Sequence, residues 1–143
     1  MPIKNRIMEM HAEITKWRRD FHENPELLYD TVRTSKIVSE KLNSFGCDVV
    51  KTGIGRTGVV AVIKGRSDSK GKVIGLRADM DALPIKEITG LDYRSKNDGK
   101  MHACGHDAHV AILMGVAEFL TSIQKDLTGS VMFIFQPAEE GRP

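Results

Sequence analysis

Residues 130–135 read SVMFIF, an almost uninterrupted apolar run set between Gly129 and Pro137. A strand with one face in solvent alternates apolar and polar residues, whereas a run without alternation fits a central strand buried on both faces. Such a strand needs neighbours on each side and packed layers above and below it, which makes an α/β sandwich the natural frame.

The rest of the chain supplies those neighbours. Ile3, Ile7, Met10, Ile14, Trp17 and Phe21 recur at steps of three and four and predict a helix, with Pro2 in its first turn and Asn24-Pro25 at its end. A second helix opens at Asp30 or Thr31, buries Val38, Leu42 and Phe45, and stops at Gly46 in a left-handed cap. Residues 47–52 form a short strand, and Gly53-Ile54-Gly55 a turn. Residues 58–64 (GVVAVIK) form a strand, 65–71 a polar turn, and 72–77 (KVIGLR) the strand that makes a hairpin with it. Residues 78–100 show neither period, and a loop that long inside one domain is usually functional. A third helix begins near Asp107 and buries Val110, Leu113, Met114, Ala117 and Leu120. Residues 127–129 then turn into the apolar strand. The order helix, helix, strand, strand, strand, helix, strand indicates a mixed sheet in an α/β sandwich. Without a repeat, low-complexity tract or linker, residues 1–143 read as one domain.

Composition narrows the partners. With 21 basic and 19 acidic residues mixed along the sequence and a net charge of +2, no basic stripe forms for nucleic acid or an anionic membrane. The charged amino terminus is not a signal peptide, and no apolar stretch has the length of a membrane span. Two cysteines make no secreted framework, so a reduced, cytoplasmic protein is expected.

Three polar clusters interrupt the apolar scaffold. Asp79-Met80-Asp81 follows one strand and Glu139-Glu140 another. His102, Cys104, His106, Asp107 and His109 lie just ahead of, or in, the first turn of the third helix. Ligands in open α/β sheets bind beyond the carboxyl ends of strands, so the clusters can converge although they are far apart in sequence. Thiolate and imidazole suit zinc, nickel or cobalt, and carboxylates extend the range to manganese. Cys104 and His106, two residues apart, can be aimed at one ion by a tight turn, and His109 adds a nitrogen one helical turn on. Three of the five histidines fall within residues 102–109. Adjacent glutamates cannot occupy one position, so one can hold a metal while the other faces a metal-bound water as general base.

Each cluster also has a plainer reading. Asp-x-Asp after a strand is commonly turn chemistry. Asp107 is in part the N-cap of the third helix, and Glu139-Glu140 is a solvated charge pair. His11 and His22 carry no signal and read as surface residues, and Cys47 reads as a small buried hydrophobe. The three clusters together, on the appropriate ends of the fold, favour a metal site. Cys104 has no second cysteine nearby in sequence for thiol redox chemistry.

The strings RRDFHENPEL (18–27), GLRADMDALPI (75–85), GKMHACGHDAHVAILMGVA (99–117) and FIFQPAEEG (133–141) stand in order along the chain. Together they resemble the N-acyl-amino-acid amidohydrolases, including hippurate and indole-acetyl-amino-acid hydrolases, of the aminoacylase and carboxypeptidase G superfamily. The resemblance implies a three-layer sandwich of the zinc-peptidase-like catalytic domain, of which residues 1–143 are the amino-terminal part, incomplete at the carboxyl end. It implies two divalent ions (zinc, manganese, nickel or cobalt) and hydrolysis of the amide of a small N-acyl amino acid. Cys104, His106 and Glu140 match metal ligands, Glu139 the general base, and Asp81 a supporting aspartate that orients the site. Asp79 stands where related carboxypeptidases place a histidine ligand. Its role stays open, as do those of His102 and His109. Family members add two later histidine ligands and a smaller inserted domain that this chain lacks. A chain without them is expected to be inactive and to self-associate through exposed apolar faces. The alternative is a non-catalytic metal-binding or protein-interaction module.

Overall fold

A computed structural model describes residues 3–67 and 71–141. Helix α1 spans Ile3–Glu23, α2 Val32–Phe45 and α3 His106–Ser122. Strands β1 (Val49–Ile54), β2 (Gly58–Lys64), β3 (Val73–Asp79) and β4 (Ser130–Gln136) complete the expected order. The Pro2 expectation and the centre of the 65–71 turn lie outside the described residues. No helix among the described residues is long and apolar enough to cross a membrane.

Local chemistry sets the helix ends. The Asn24 side-chain amide donates to the Asp20 carbonyl at 2.8 Å, closing α1 just before Pro25. The Glu26 carboxylate accepts the Arg33 and Thr34 backbone N–H groups at 2.9 and 2.8 Å, an anion on the free amides of the α2 N-terminus. Gly46, at φ 90°, ends α2 in the left-handed region as predicted.

The sheet order is β1-β2-β4-β3, with β1-β2 and β2-β4 antiparallel and β4-β3 parallel. The expected hairpin between residues 58–64 and 72–77 is therefore corrected: β2 hairpins with β1, and β4 lies between β2 and β3. The reason is visible in burial. The apolar run of β4 fills the interior slot, while β3, with Val73 and Ile74 exposed, takes the edge. The end of β2 and the start of β3 lie on either side of β4, two strand spacings or about 9–10 Å apart. Gly65 N–H donates to Gly129 O, and Ser130 N–H to Lys72 O.

Helices α2 and α3 pack on one sheet face, and α1 lies against α3. Val59, Ala61, Ile63, Ala78, Phe133 and Phe135 face the helices and are buried with Val38, Leu42, Val110, Met114 and Phe21. The other face of β4, Met132 and Ile134, is only half-buried, so the run expected to be buried on both faces is fully buried on one. Among the described residues, the helix layer covers that one face. Gly115 lets α3 pack tightly on α1: a Cβ there would sit 2.6 Å from Ile14 Cδ1. Ile3 and Ile7, expected on the buried stripe of α1, are exposed because its first turns lie at the margin of that contact.

The aperiodic segment 80–105 is pinned to the end of α1. Ala82 N–H donates to Glu26 O (2.8 Å) and Lys96 N–H to Glu23 O (2.8 Å). Leu83 and Met101 exchange backbone bonds at 3.0 Å each way.

Candidate metal centre

Parallel pairing puts Asp79 of β3 opposite Gln136 of β4, so the segments leaving both carboxyl ends start side by side. The N-terminus of α3 faces the same point. Gly105, at φ 88°, makes the turn that lets Cys104 and His106 face one position, a conformation glycine adopts without strain. Cys104, His106 and Glu140 each offer a ligand atom, all within 4.8 Å of one another, and Asp79, His106 and His109 form a second such group.

His106, 3% exposed, is the shared member. Its Nδ1 hydrogen-bonds the Asp81 carbonyl at 2.8 Å. A carbonyl only accepts, so Nδ1–H donates there and Nε2 is the ring nitrogen left facing the site. Around Nε2 lie carboxylate oxygens of Glu139 (3.7 Å), Asp79 (3.9 Å) and Glu140 (4.0 Å). The Cys104 thiol is exposed, and its pKa is raised, first by its hydrogen bond to Glu140, then by burial and by the charges of Glu140, Glu139 and Asp79. Sulfur, nitrogen and oxygen lone pairs that converge in this way fit a divalent transition metal.

Asp81 is buried, and each of its carboxylate oxygens accepts one backbone N–H, from Glu139 (3.1 Å) and Glu140 (3.0 Å). One residue thus holds both the His106 ring, through its carbonyl, and the Glu139-Glu140 turn, through its carboxylate. The Glu139 side chain is 41% exposed against 23% for Glu140, so the two adjacent carboxylates are distinguished by their access to solvent. Asp79 pairs with Arg77 at 2.5 Å, and the half-exposed His109 ring stands 5.4 Å from that of His106. His102 is buried, with neither ring nitrogen hydrogen-bonded among the described residues, and burial lowers its pKa to about 4. Cys47 is half-buried against the core, its thiol pushed up to about 11, first by burial and then by Asp48.

Two expectations are corrected here. The N-cap of α3 is Gly105, not Asp107. The Asp107 side chain is fully buried and accepts from Arg18 Nε (2.8 Å) and His22 Nδ1 (2.7 Å). His22, expected at the surface, is 2% exposed, and its Nε2 meets Glu87 at 3.1 Å. The sequence carried a signal for this. Residues 14, 17, 18, 21 and 22 follow the i, i+3, i+4, i+7, i+8 pattern of a buried helical face, with Arg18 and His22 as its polar members. His11 is exposed, as expected.

Residues 75–143 match peptidase family M20/M25/M40. The chain is 50% identical over 136 residues to a hippurate hydrolase of Campylobacter jejuni, covering 94% of this chain and 34% of that protein. It is 48% identical over 130 residues to an N-acetylcysteine deacetylase of Bacillus subtilis, covering 91% and 34%. A solved B. subtilis structure, described as a dinuclear metal-binding peptidase of the M20 family, superposes with a TM-score of 0.87. It is 47% identical, with 93% of this chain and 37% of that one covered. The chain therefore spans about a third of the length of the curated relatives it matches.

Proposed function

We propose that this chain, whose residues 75–143 match peptidase family M20/M25/M40, is the metal-binding part of an amidohydrolase acting on N-acyl amino acids. The observation that carries the reading is the convergence of Cys104, His106 and Glu140 within 4.8 Å at the N-terminus of α3. As ligands, these three would hold zinc, cobalt, nickel or manganese. A bound divalent ion would polarise the substrate amide carbonyl and make an attacking water acidic near neutral pH. Glu139, the more open of the two glutamates, would be the general base, its carboxylate accepting a proton from the attacking water and returning it to the departing amine. Asp81 fixes the tautomer of His106 and the place of both glutamates. Both cysteines are free thiols, which suits a cytoplasmic setting.

A metal-binding or protein-interaction module without catalysis is the second reading. For the isolated chain it is favoured because the two candidate ligand groups share His106, whereas two-metal chemistry needs ligands for both ions. A chimera separates the two. The corresponding third of the C. jejuni hippurate hydrolase is replaced by this chain, and hippurate hydrolysis is followed with and without added divalent metal. Metal-dependent turnover that Glu139→Gln abolishes supports the hydrolase. A folded, metal-loaded chimera without turnover favours the module.

A further inference from the structure

The end of α1 and the N-terminus of α3 meet in a buried polar bridge that the proposed chemistry does not use. His22 Nδ1 lies 2.7 Å from Asp107 Oδ2 and Nε2 lies 3.1 Å from Glu87 Oε1, with both carboxylate side chains at most 2% exposed. An ionised carboxylate only accepts, so a ring that bonds to one at each nitrogen must carry both protons. Asp107 also accepts from Arg18 Nε (2.8 Å), which gives two cations, Arg18 and His22, for two carboxylates in a set that is buried except for part of Arg18. Glu87 stays ionised. Burial works to raise its pKa, but hydrogen bonds from Ser95 N–H, the Thr89 hydroxyl and His22 hold it below the usual range. The other groups facing His22 are the Tyr93 ring, edge-on at 5.6 Å, and the neutral His102.

We propose that His22 is a positioning residue: as an imidazolium between Asp107 and Glu87, it ties the first turn of α3, which carries His106, to the 80–105 loop, which carries Asp81 and Cys104. Asp107 follows His106 directly, and neighbouring helical residues point about 100° apart, so anchoring Asp107 on α1 fixes how His106 is turned toward the site. Glu87 binds Ser95 N–H at 2.6 Å, so the same ring also gathers the middle of the loop whose two ends bring Asp81 and Cys104 to the site. The positioning role rests on the metal-centre reading. The charged bridge itself does not.

The test uses the 143-residue protein. Nitrogen-15 histidine spectra at neutral pH are expected to show both His22 ring nitrogens protonated, and a neutral ring would overturn the proposal. In Glu87→Gln, and in His22→Asn where it folds, the amides of Leu83, Ser95, Lys96 and Met101 are expected to exchange about tenfold faster or more. Those of the β2-β4 ladder should hold, since a general loss of stability would move both sets together. Cobalt affinity, read from the thiolate absorption of Cys104, is expected to fall about tenfold or more, the usual cost of losing an outer partner of a ligand. Unchanged loop exchange overturns the proposal. Faster exchange with unchanged cobalt affinity overturns it too, making the bridge a fold contact only. If the unmutated chain gives no cobalt–thiolate band, the metal reading fails, and ring protonation and loop exchange decide the bridge by themselves.

Discussion

Asp81→Asn tests whether one aspartate assembles the site. The buried carboxylate accepts the Glu139 and Glu140 N–H groups at 3.1 and 3.0 Å. Hydrogen bonds to a charged group contribute about 1.5–3 kcal/mol each. The amide keeps one acceptor oxygen and turns an NH₂ toward the other N–H, so one bond is lost and a donor faces a donor. The bond from His106 to the Asp81 backbone carbonyl is untouched, which confines the damage to the Glu139-Glu140 turn. A loss of about 2–3 kcal/mol there, at 1.4 kcal/mol per factor of ten, speeds opening of the turn about 30- to 140-fold. Amide exchange at Glu139 and Glu140 is expected to accelerate by that factor, with the β2-β4 ladder unchanged. Zinc affinity should fall about 10- to 100-fold because Glu140 is no longer held in place. Unaltered exchange at both amides, together with unaltered affinity, would refute the reasoning.

Cys104→Ala should lower affinity most for zinc, and affinity unchanged by the substitution would remove Cys104 as a ligand. The raised thiol pKa means that Cys104 is still protonated in the metal-free protein at neutral pH, so binding releases its proton. Zinc affinity should then rise with pH by up to about tenfold per unit, and titrations of Cys104→Ala across pH 6–8 should show a shallower rise. In a full-length relative carrying these motifs, the Glu139→Gln equivalent is expected to keep metal and lose kcat rather than binding. Steady-state kinetics with near-normal turnover would end the general-base assignment. The 143-residue chain alone, assayed with zinc, manganese, nickel or cobalt on hippurate and N-acetyl amino acids, should show little or no turnover. Metal-dependent rates close to those of a full-length relative would overturn that. The exposed Val73 and Ile74 on edge strand β3 should make the chain self-associate in sedimentation, and a monomer at high concentration would contradict it.

Element identity was legible because period and punctuation agree with local physics. Helices α1 and α3, the Gly46 cap and the apolar β4 all lie where the pattern places them. Strand partnership was not legible. The pattern of residues 58–64 and 72–77 is satisfied equally by a hairpin and by two strands with a third between them. The choice is made by which strand has most to bury, a comparison that involves β4, more than fifty residues further on. The exposed Ile3 and Ile7 show the same limit. A stripe says which side of a helix faces a neighbour, not how far that neighbour extends.

For the site, spacing was informative about candidate ligand atoms and nearly silent about what holds them. Cys104, His106 and the Glu139-Glu140 pair stood out because thiol, imidazole and carboxylate are unusual neighbours at a strand end and a helix start; the family resemblance singled out Glu140, and the structure brings Cys104, His106 and Glu140 close together. Asp81 was named as a support, but its double hold on the Glu139 and Glu140 amides depends on the parallel register of β3 and β4. His22 was misplaced because a histidine on a helix bearing many charges looks solvated unless its partners are known, and those lie 65 and 85 residues away. Two buried carboxylates turn a surface-like residue into a core one, since each charge is tolerable only because the others are present. It follows that the long aperiodic loop is ordered in part from outside itself. Its backbone finds partners on the end of α1, and its one buried glutamate closes on a ring that also holds α3, so the least regular segment of the chain ends in the two residues whose placement matters most.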